Sequence, residues 1–345
     1  MPKSAVRIRL PSMKDVAKRA GVSQTTVSFV LNNVESANIP LETQERVLAA
    51  IEALSYRPNA MARQLRLNRT HTIGFLSDNI ATTPHAGNII QGAQDRAWAQ
   101  EYLLLVVNTS SHVTVEKAAI DLMLERRVDG IIYATMYHRA VTLLPSIREV
   151  PTVLLDCFCA DRSLPSIVPD EVRGGRTAIE LLLRKGHRRL GFINNVDLIP
   201  ATFGRLQGYQ QALAAHGIAY DQALVCAQHS DQAGGYRGVN SLMRLAEPPT
   251  AIFCFNDRMA MGAYDALHKL GCSIPADVAV IGYDNQELIA AYLYPPLTTL
   301  QLPHYQMGQW AVQHLLTLIE NPEGQNGHPP VQELCECPLI ERSSI

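Results

Sequence analysis

Tryptophan, charge and long apolar runs are all scarce in this chain of 345 residues: it has two tryptophans, and 18% of its side chains are charged. Apolar stretches such as 130–134 and 150–155 fall far short of the ~20 residues that a bilayer-crossing helix needs, so no membrane span is expected. Lys3, Arg7 and Arg9 run into the polar stretch 13–19 without the apolar middle of a secretory signal, and the expected location is the cytoplasm. The seven cysteines include no CxxC spacing, and their odd number argues against a disulfide framework. Two CxC pairs, Cys157 with Cys159 and Cys335 with Cys337, fit the alternation of a strand better than a metal site. GxSxG, HExxH, GxGxxG and GxxxxGK[ST] strings are missing, and the histidines are scattered without metal-ligand spacing. No cofactor, no metal and no catalytic residue is therefore expected. What remains is a chain with 47% hydrophobic residues, long enough for two or three domains at ~150 residues each.

The little charge there is lies unevenly. Residues 1–70 hold eleven basic and five acidic side chains, a surplus of six, whereas the rest has 19 basic against 27 acidic, a deficit of eight. A basic end is most often just a solvated face, but it is also the footprint of a polyanion partner. Ser12 with Asp15 reads as a helix start, and Val16, Ala17 and Ala20 give that helix an apolar face. Gly21 and Val22 break the pattern, and Ser23 starts a second helix with Val27, Val30 and Leu31 inside. Two short helices about so brief a break form a helix-turn-helix. A third helix, 41–54, is expected to close the core with Val47, Leu48, Ile51 and Leu54. The outer face of the second helix carries Gln24, Thr25, Thr26, Ser28, Phe29 and Asn32. Short hydroxyls at a helix N-terminus suit phosphates, Gln24 and Thr25 can read base edges, and Phe29 can meet a thymine methyl. A buried helical hairpin would not keep so polar an outer face.

From residue 71 the texture changes. Short apolar runs at 73–76, 103–107, 130–133, 152–155, 190–193, 251–255 and 278–281 alternate with helical stretches, which predicts doubly wound parallel sheets. There are more strands than one such sheet conveniently holds, so two lobes are expected, with strand carboxyl ends facing a cleft. Polar residues recur at those ends: Asp78, Asp156, Asn256, Asp257 and Asp284, with Arg205 expected to start the helix after 190–193. This inventory accepts from and donates to vicinal hydroxyls, although Asp257 and Asp170 read equally as helix caps.

The segments MKDVAKRAGVSQTTVSFVLNN (13–33) and RVLAAIEALSYRPNAMARQLR (46–66) resemble the headpiece and hinge helix of the lactose/galactose repressor family. RVDGIIYA (127–134), GHRRLGFI (186–193), AIFCFNDRMAMGAYDAL (251–267) and DVAVIGYDN (277–285) resemble its sensor core, so the likeness runs from about residue 12 to 340. The fold it implies is an α-helical helix-turn-helix headpiece plus an α/β core of two doubly wound parallel-sheet lobes, similar to periplasmic binding proteins. The expected domains are a flexible basic arm (1–11), a DNA-binding domain (12–56), a hinge and linker (57–70), and an effector-binding and dimerisation core (71–345). Within the core, lobe one is expected at 71–165 plus 302–328 and lobe two at 166–301 plus 329–345.

The resemblance gives Asn59 and Leu65 to the DNA, with Leu65 wedging into the minor groove, and Asp156, Arg205, Asn256 and Asp284 to an effector. Asp78 and His85 fall in the stretch lining the other wall. Where purine-sensing relatives carry an aromatic and a glycine, this chain has Ser230 and Asn256, which favours a sugar or polyol. Phe203 leaves room for other ligands, and many relatives carry Arg at the position of Phe29, so their operator does not transfer. The expected partners are double-stranded operator DNA, a sugar effector that releases it, and a second copy of the chain, as a homodimer or a higher oligomer. A purine-sensing, co-repressor-dependent regulator is the alternative. A sugar receptor or carbohydrate enzyme is the reading from another class, and it predicts no salt-dependent binding to duplex DNA.

Overall fold

The computed structural model describes residues 11–32, 34–56, 69–80, 83, 87–321 and 329–345. Asn59, Leu65 and His85 lie outside the described residues, as do most of the arm and of the hinge. The chain separates into two compact units, 1–70 and 71–345.

In the first unit, helix α1 (Met13–Ala20) opens with a reciprocal capping box. Asp15 Oδ2 accepts the Ser12 N–H at 2.8 Å, and the Ser12 hydroxyl accepts the Asp15 N–H at 3.4 Å, so the two residues close the helix start reciprocally. The helix ends at Gly21, whose left-handed φ of +67° a residue without Cβ adopts freely. Ser23 then caps α2 (Gln24–Leu31), accepting the Thr26 N–H at 3.0 Å. Helix α3 (Leu41–Ala53) closes a core of Val16, Ala17, Ala20, Val27, Val30, Val47, Ala50 and Tyr56. Leu48, expected inside, is 54% exposed, and Ala50 is buried instead. The reason is helical phase: positions 47, 50, 51 and 54 share one face, and 48 turns away from it.

The second unit contains two sheets with the same strand order. In the first, β1 (Thr72–Ser77) lies between β2 (Leu103–Asn108) and β3 (Gly130–Val141). The sheet continues through β4 (Thr152–Cys159), β5 (Ser166–Pro169) and β11 (Gln332–Cys335), parallel throughout. In the second, β6 (Leu190–Asn195) lies between β7 (Val225–Gln228) and β8 (Ala251–Cys254). It continues through β9 (Ala279–Asp284) and β10 (Thr298–Gln301) to β12 (Leu339–Ile340), which runs antiparallel to β10. Each order reverses once, between β1 and β3 and between β6 and β8, and such a switch point opens a crevice beyond the strand ends.

Helices cover both faces of each sheet, which is why the strands read as continuous apolar runs. In lobe one, α4 (Gly87–Trp98) and a long helix late in the chain (His304–Glu320) bury one face around Ile73, Phe75, Ile132 and Val153. The other face, with Leu76 and Ile131, packs on Ile120 and Met123 of α5 (Val113–Glu125). Lobe two is covered by α6 (Glu171–Arg184), α7 (Pro200–Ala215), α8 (Gln232–Leu242) and α9 (Asp257–Lys269), making the late helix α10.

The lobe boundaries differ from the expected ones. β5 and β11, expected in lobe two, belong to the sheet of lobe one, because their ladder partners are there: Ser166 pairs with both Leu154 and Gln332. The chain crosses between lobes at 169–171, 301–304 and 335–339. Arg205 does not start its helix either. α7 begins at Pro200, a residue pre-set for the first helical turn, which puts Arg205 in the second turn.

Candidate functional site

On α2, Gln24, Thr25, Phe29 and Asn32 are exposed, and Thr26 and Ser28 are half-buried. Positions 25, 28, 29 and 32 fall at i, i+3, i+4 and i+7, a single outward stripe. Thr26 shares a 2.9 Å hydrogen bond with Ser23, and the Asn32 amide folds back on its own helix to donate to Ser28 O at 2.5 Å. The helix itself carries no charge. Positive charge comes from exposed Lys14, Lys18 and Arg19 on α1 and Arg46 on α3. A helix N-terminus, hydroxyls and nearby cations are what a phosphate backbone requires.

In the second unit, a cavity of about 210 Å³ lies between the lobes at the two switch points. That is below the ~300–1,000 Å³ of clefts built for drug-sized ligands, so it suits a small metabolite. Lobe one contributes Met136, Tyr137 and His138 from β3, with Asp156 from β4. Between Ala134 and Arg139 the β3–β4 register slips, so four residues of β3 bow out opposite Asp156, and such a bulge re-aims side chains. Asp156 itself has φ +57°, a left-handed conformation in mid-strand that costs of order 1 kcal/mol and clusters at functional sites.

Lobe two contributes Asn195, Asp197, Arg205, Ser230, Phe255, Asn256, Arg258 and Asp284, while Glu171 and His304 come from the crossings. Asp156 from lobe one and Arg205, Asn256 and Asp284 from lobe two thus line the same cavity, where the sequence places them together. Asn256 is the cap of α9: its Oδ1 accepts the Met259 N–H at 2.9 Å and its Nδ2 donates to Ser230 O at 3.1 Å. Asp257, one residue on, is no cap. It is fully buried and accepts from Thr299 Oγ1 and the Gln286 N–H at 2.6 Å each. Asp170 does cap α6, through the Arg173 N–H at 3.0 Å. Asp284, at φ +101°, accepts from Gln286 Nε2 at 3.0 Å and lies 3.8 Å from Arg205 Nη2.

Asp78 is not in the wall but behind it. One oxygen accepts the Met136 N–H at 2.9 Å, and the other pairs with Arg139 at 3.0 Å, so its acceptors are taken up in holding the bulge. Phe203 is 55% exposed and does not line the cavity, whose aromatic residues are Tyr137 and Phe255.

Three buried polar atoms on the lining residues, Asp156 Oδ1, His138 Nδ1 and Arg258 Nε, find no hydrogen-bond partner among the described residues. Leaving such atoms unpaired costs roughly 1–3 kcal/mol each. Burial, reinforced by the neighbouring Glu171 and Asp78, pushes the Asp156 carboxyl well above its ordinary pKa, and Arg205 and Arg139 offset this in part. Burial also holds the His138 imidazole below its usual value. Both groups are therefore kept towards their neutral forms, as hydroxyl partners rather than charges. Glu171, His138 and Arg258 were not singled out in the sequence. The β3 bulge has no local signature there, but Glu171, a carboxylate two residues past a strand, stands close to the kind of position that exposed Asp156 and Asp284.

Among the described residues no group of His, Cys, Asp and Glu could hold a metal, and no helix is long and apolar enough to cross a membrane.

Residues 12–59 match the family described as bacterial regulatory proteins, lacI family. Residues 70–340 match the one described as periplasmic binding proteins and sugar binding domain of LacI family. The ribose operon repressor of Haemophilus influenzae is 33% identical over 313 residues, 91% of this chain and 93% of its own. A transcriptional repressor of Photorhabdus laumondii, PurR, is 34% identical over 343 residues, 97% of both. The lac repressor dimer, solved with operator and the anti-inducer ONPF, superposes with a TM-score of 0.78 at 27% identity, covering 97% of this chain and 99% of that one.

Proposed function

Because this chain belongs to the LacI family of bacterial regulatory proteins, a family of DNA-binding transcription regulators, we propose that it represses carbohydrate-utilisation genes and leaves its operator when a sugar binds between its lobes. The observation that carries the effector class is the set of orphaned polar atoms on Asp156, His138 and Arg258 in a cavity also lined by Asn256 and Asp284. A compact polyol can satisfy donors and acceptors of this kind, and Ser230 offers no ring at the position where purine-sensing relatives carry an aromatic.

In this reading Asp156, Asp284, Asn256 and Arg205 take the hydroxyls without performing chemistry on them, and Asp78 supports the wall. Closure about the three crossings moves lobe one relative to lobe two, and residues 57–70, with Leu65 and Asn59, pass that movement to the headpiece. Gln24, Thr25 and Phe29 read bases while Thr26, Ser28 and Asn32 fix the helix on the backbone. Two headpieces on one site imply a homodimer and a roughly palindromic operator, acting in the cytoplasm.

The test is a thermal-shift screen of the full chain against sugars, polyols and purines, followed by titration of an operator selected from random duplexes. A sugar that stabilises the protein and weakens operator binding at least tenfold supports the proposal. A purine that does so, or a ligand that tightens DNA binding, replaces it with the co-repressor reading.

A further inference from the structure

Arg205 has five N–H donors in a planar fork, and Glu171 occupies one whole edge of it. Nε donates to Glu171 Oε2 at 2.7 Å and Nη2 to Oε1 at 3.3 Å. Nη1 donates to Phe255 O, and Nη2 lies 3.8 Å from Asp284 Oδ1. The faces of the guanidinium are covered by Phe255 and Tyr283, at 4.3 and 3.6 Å from the ring centroids. Both partners are buried, at 3% and 6% exposure. The charge of Arg205 is thus neutralised in place, and its edge suited to a carboxylate or phosphate is taken before any ligand arrives. Burial would lower the Arg205 pKa, but Glu171, with Tyr283 and Asp284, more than offsets this. A buried ion pair of this kind adds little net stability over apolar packing, so stability does not account for it. The remaining guanidinium on the wall, Arg258, shares the cavity with Asp156, Asp197 and Asp284.

We propose that Glu171 sets the charge class of the effector: by holding the fork of Arg205 it keeps the cleft for uncharged polyols and closes it to carboxylated or phosphorylated sugars. This rests on the reading that the cleft binds a sugar. An incoming anion would have to displace Glu171 or sit beside the other acids, and like charges brought together in a desolvated site oppose binding. A neutral polyol keeps the pair intact and uses the donors that Glu171 leaves over.

The experiment compares matched ligands on the full chain: glucose with glucuronate and glucose 6-phosphate, ribose with ribose 5-phosphate, and cellobiose with cellobionate. In the wild type the neutral member of a binding set is expected to bind at least tenfold more tightly than its anionic partners. In Glu171→Gln, which keeps the shape and removes the charge, that ratio should fall at least tenfold. A ligand-independent arm uses sulfate as the probe. It should raise the melting temperature of Glu171→Gln more than that of the wild type, and the gain should vanish in Glu171→Gln/Arg205→Ala; binding at the headpiece is common to all and cancels. An anionic sugar that binds the wild type as tightly as its neutral partner overturns the proposal, even should the variant fail to fold. So does a folded Glu171→Gln with an unchanged ratio and no sulfate gain. Sulfate gain with no sugar binding at all contradicts the sugar reading while leaving the role of Glu171 standing.

Discussion

Asp156 is strained in two ways: its backbone is left-handed within a strand, and its buried Oδ1 has no partner among the described residues. Its pKa is raised in the folded protein, mainly by burial, so the native state holds a proton that the unfolded chain releases above the ordinary value of 3.8. The stability this carboxyl contributes is therefore present at low pH and lost as pH rises through the folded pKa. His138, lowered by burial from 6.5, acts in the opposite sense and loses stability as pH falls below that value. Asp156→Asn removes the titration, keeps the shape and leaves His138 unchanged. It is expected to be more stable than the wild type by about 1 kcal/mol at pH 8, with the difference shrinking towards pH 4, as read by urea unfolding across pH. The same variant should bind the effector at least tenfold more weakly. A variant less stable than the wild type at pH 8 would show that the carboxylate is satisfied in a way its geometry does not indicate.

At the scale of elements, two local devices matter most. The turn between α1 and α2 depends on the left-handed Gly21 and on the Ser23 cap. Losing the Ser23 hydroxyl should cost about 1 kcal/mol, and Gly21→Val about 1–2 kcal/mol of backbone strain. Both should weaken operator binding while leaving effector-induced stabilisation of the core intact. The core helices pack in close pairs. A Cβ on Gly262 of α9 would meet Gln232 O at 1.8 Å, and one on Gly235 of α8 would meet Met259 O at 1.9 Å. Gly262→Val is therefore expected to destabilise the core by roughly 3 kcal/mol, seen as a lower midpoint in urea.

Much of this was legible because it follows from periodicity and capping. The helix-turn-helix could be read from Ser12, Gly21 and Ser23, and the buried strands from their apolar runs. Leu48 was misplaced because neighbours in sequence differ by 100° in helical phase, and an apolar side chain does not reveal which of them the core will choose. The assignment of β5 and β11 to lobe one was not legible, since a four-residue strand carries no mark of its ladder partner. Asp78 looked like Asp156, a carboxylate after a strand. Only the bulge, set by β3–β4 pairing far away in sequence, decides that one supports the wall and the other forms it.

At the scale of the whole molecule, the two compact units are joined by linkage. If a sugar in the cleft weakens operator binding by a given factor, operator must weaken sugar binding by the same factor, and calorimetric titration of the sugar with and without operator should return that equality. Phosphate contacts by basic residues of the first unit should give operator affinity a steep inverse dependence on salt, whereas sugar affinity, dominated by neutral hydrogen bonds, should change little. Control of the operator from the cleft is tested by the affinity of a selected operator for the wild type and for Asp284→Ala, each with and without the stabilising sugar, by fluorescence anisotropy. Sugar is expected to weaken operator binding at least tenfold in the wild type, while Asp284→Ala binds operator normally and ignores the sugar. Release of operator by the sugar from Asp284→Ala at the same concentration as from the wild type would contradict it, because the controlling site would then lie outside the cleft.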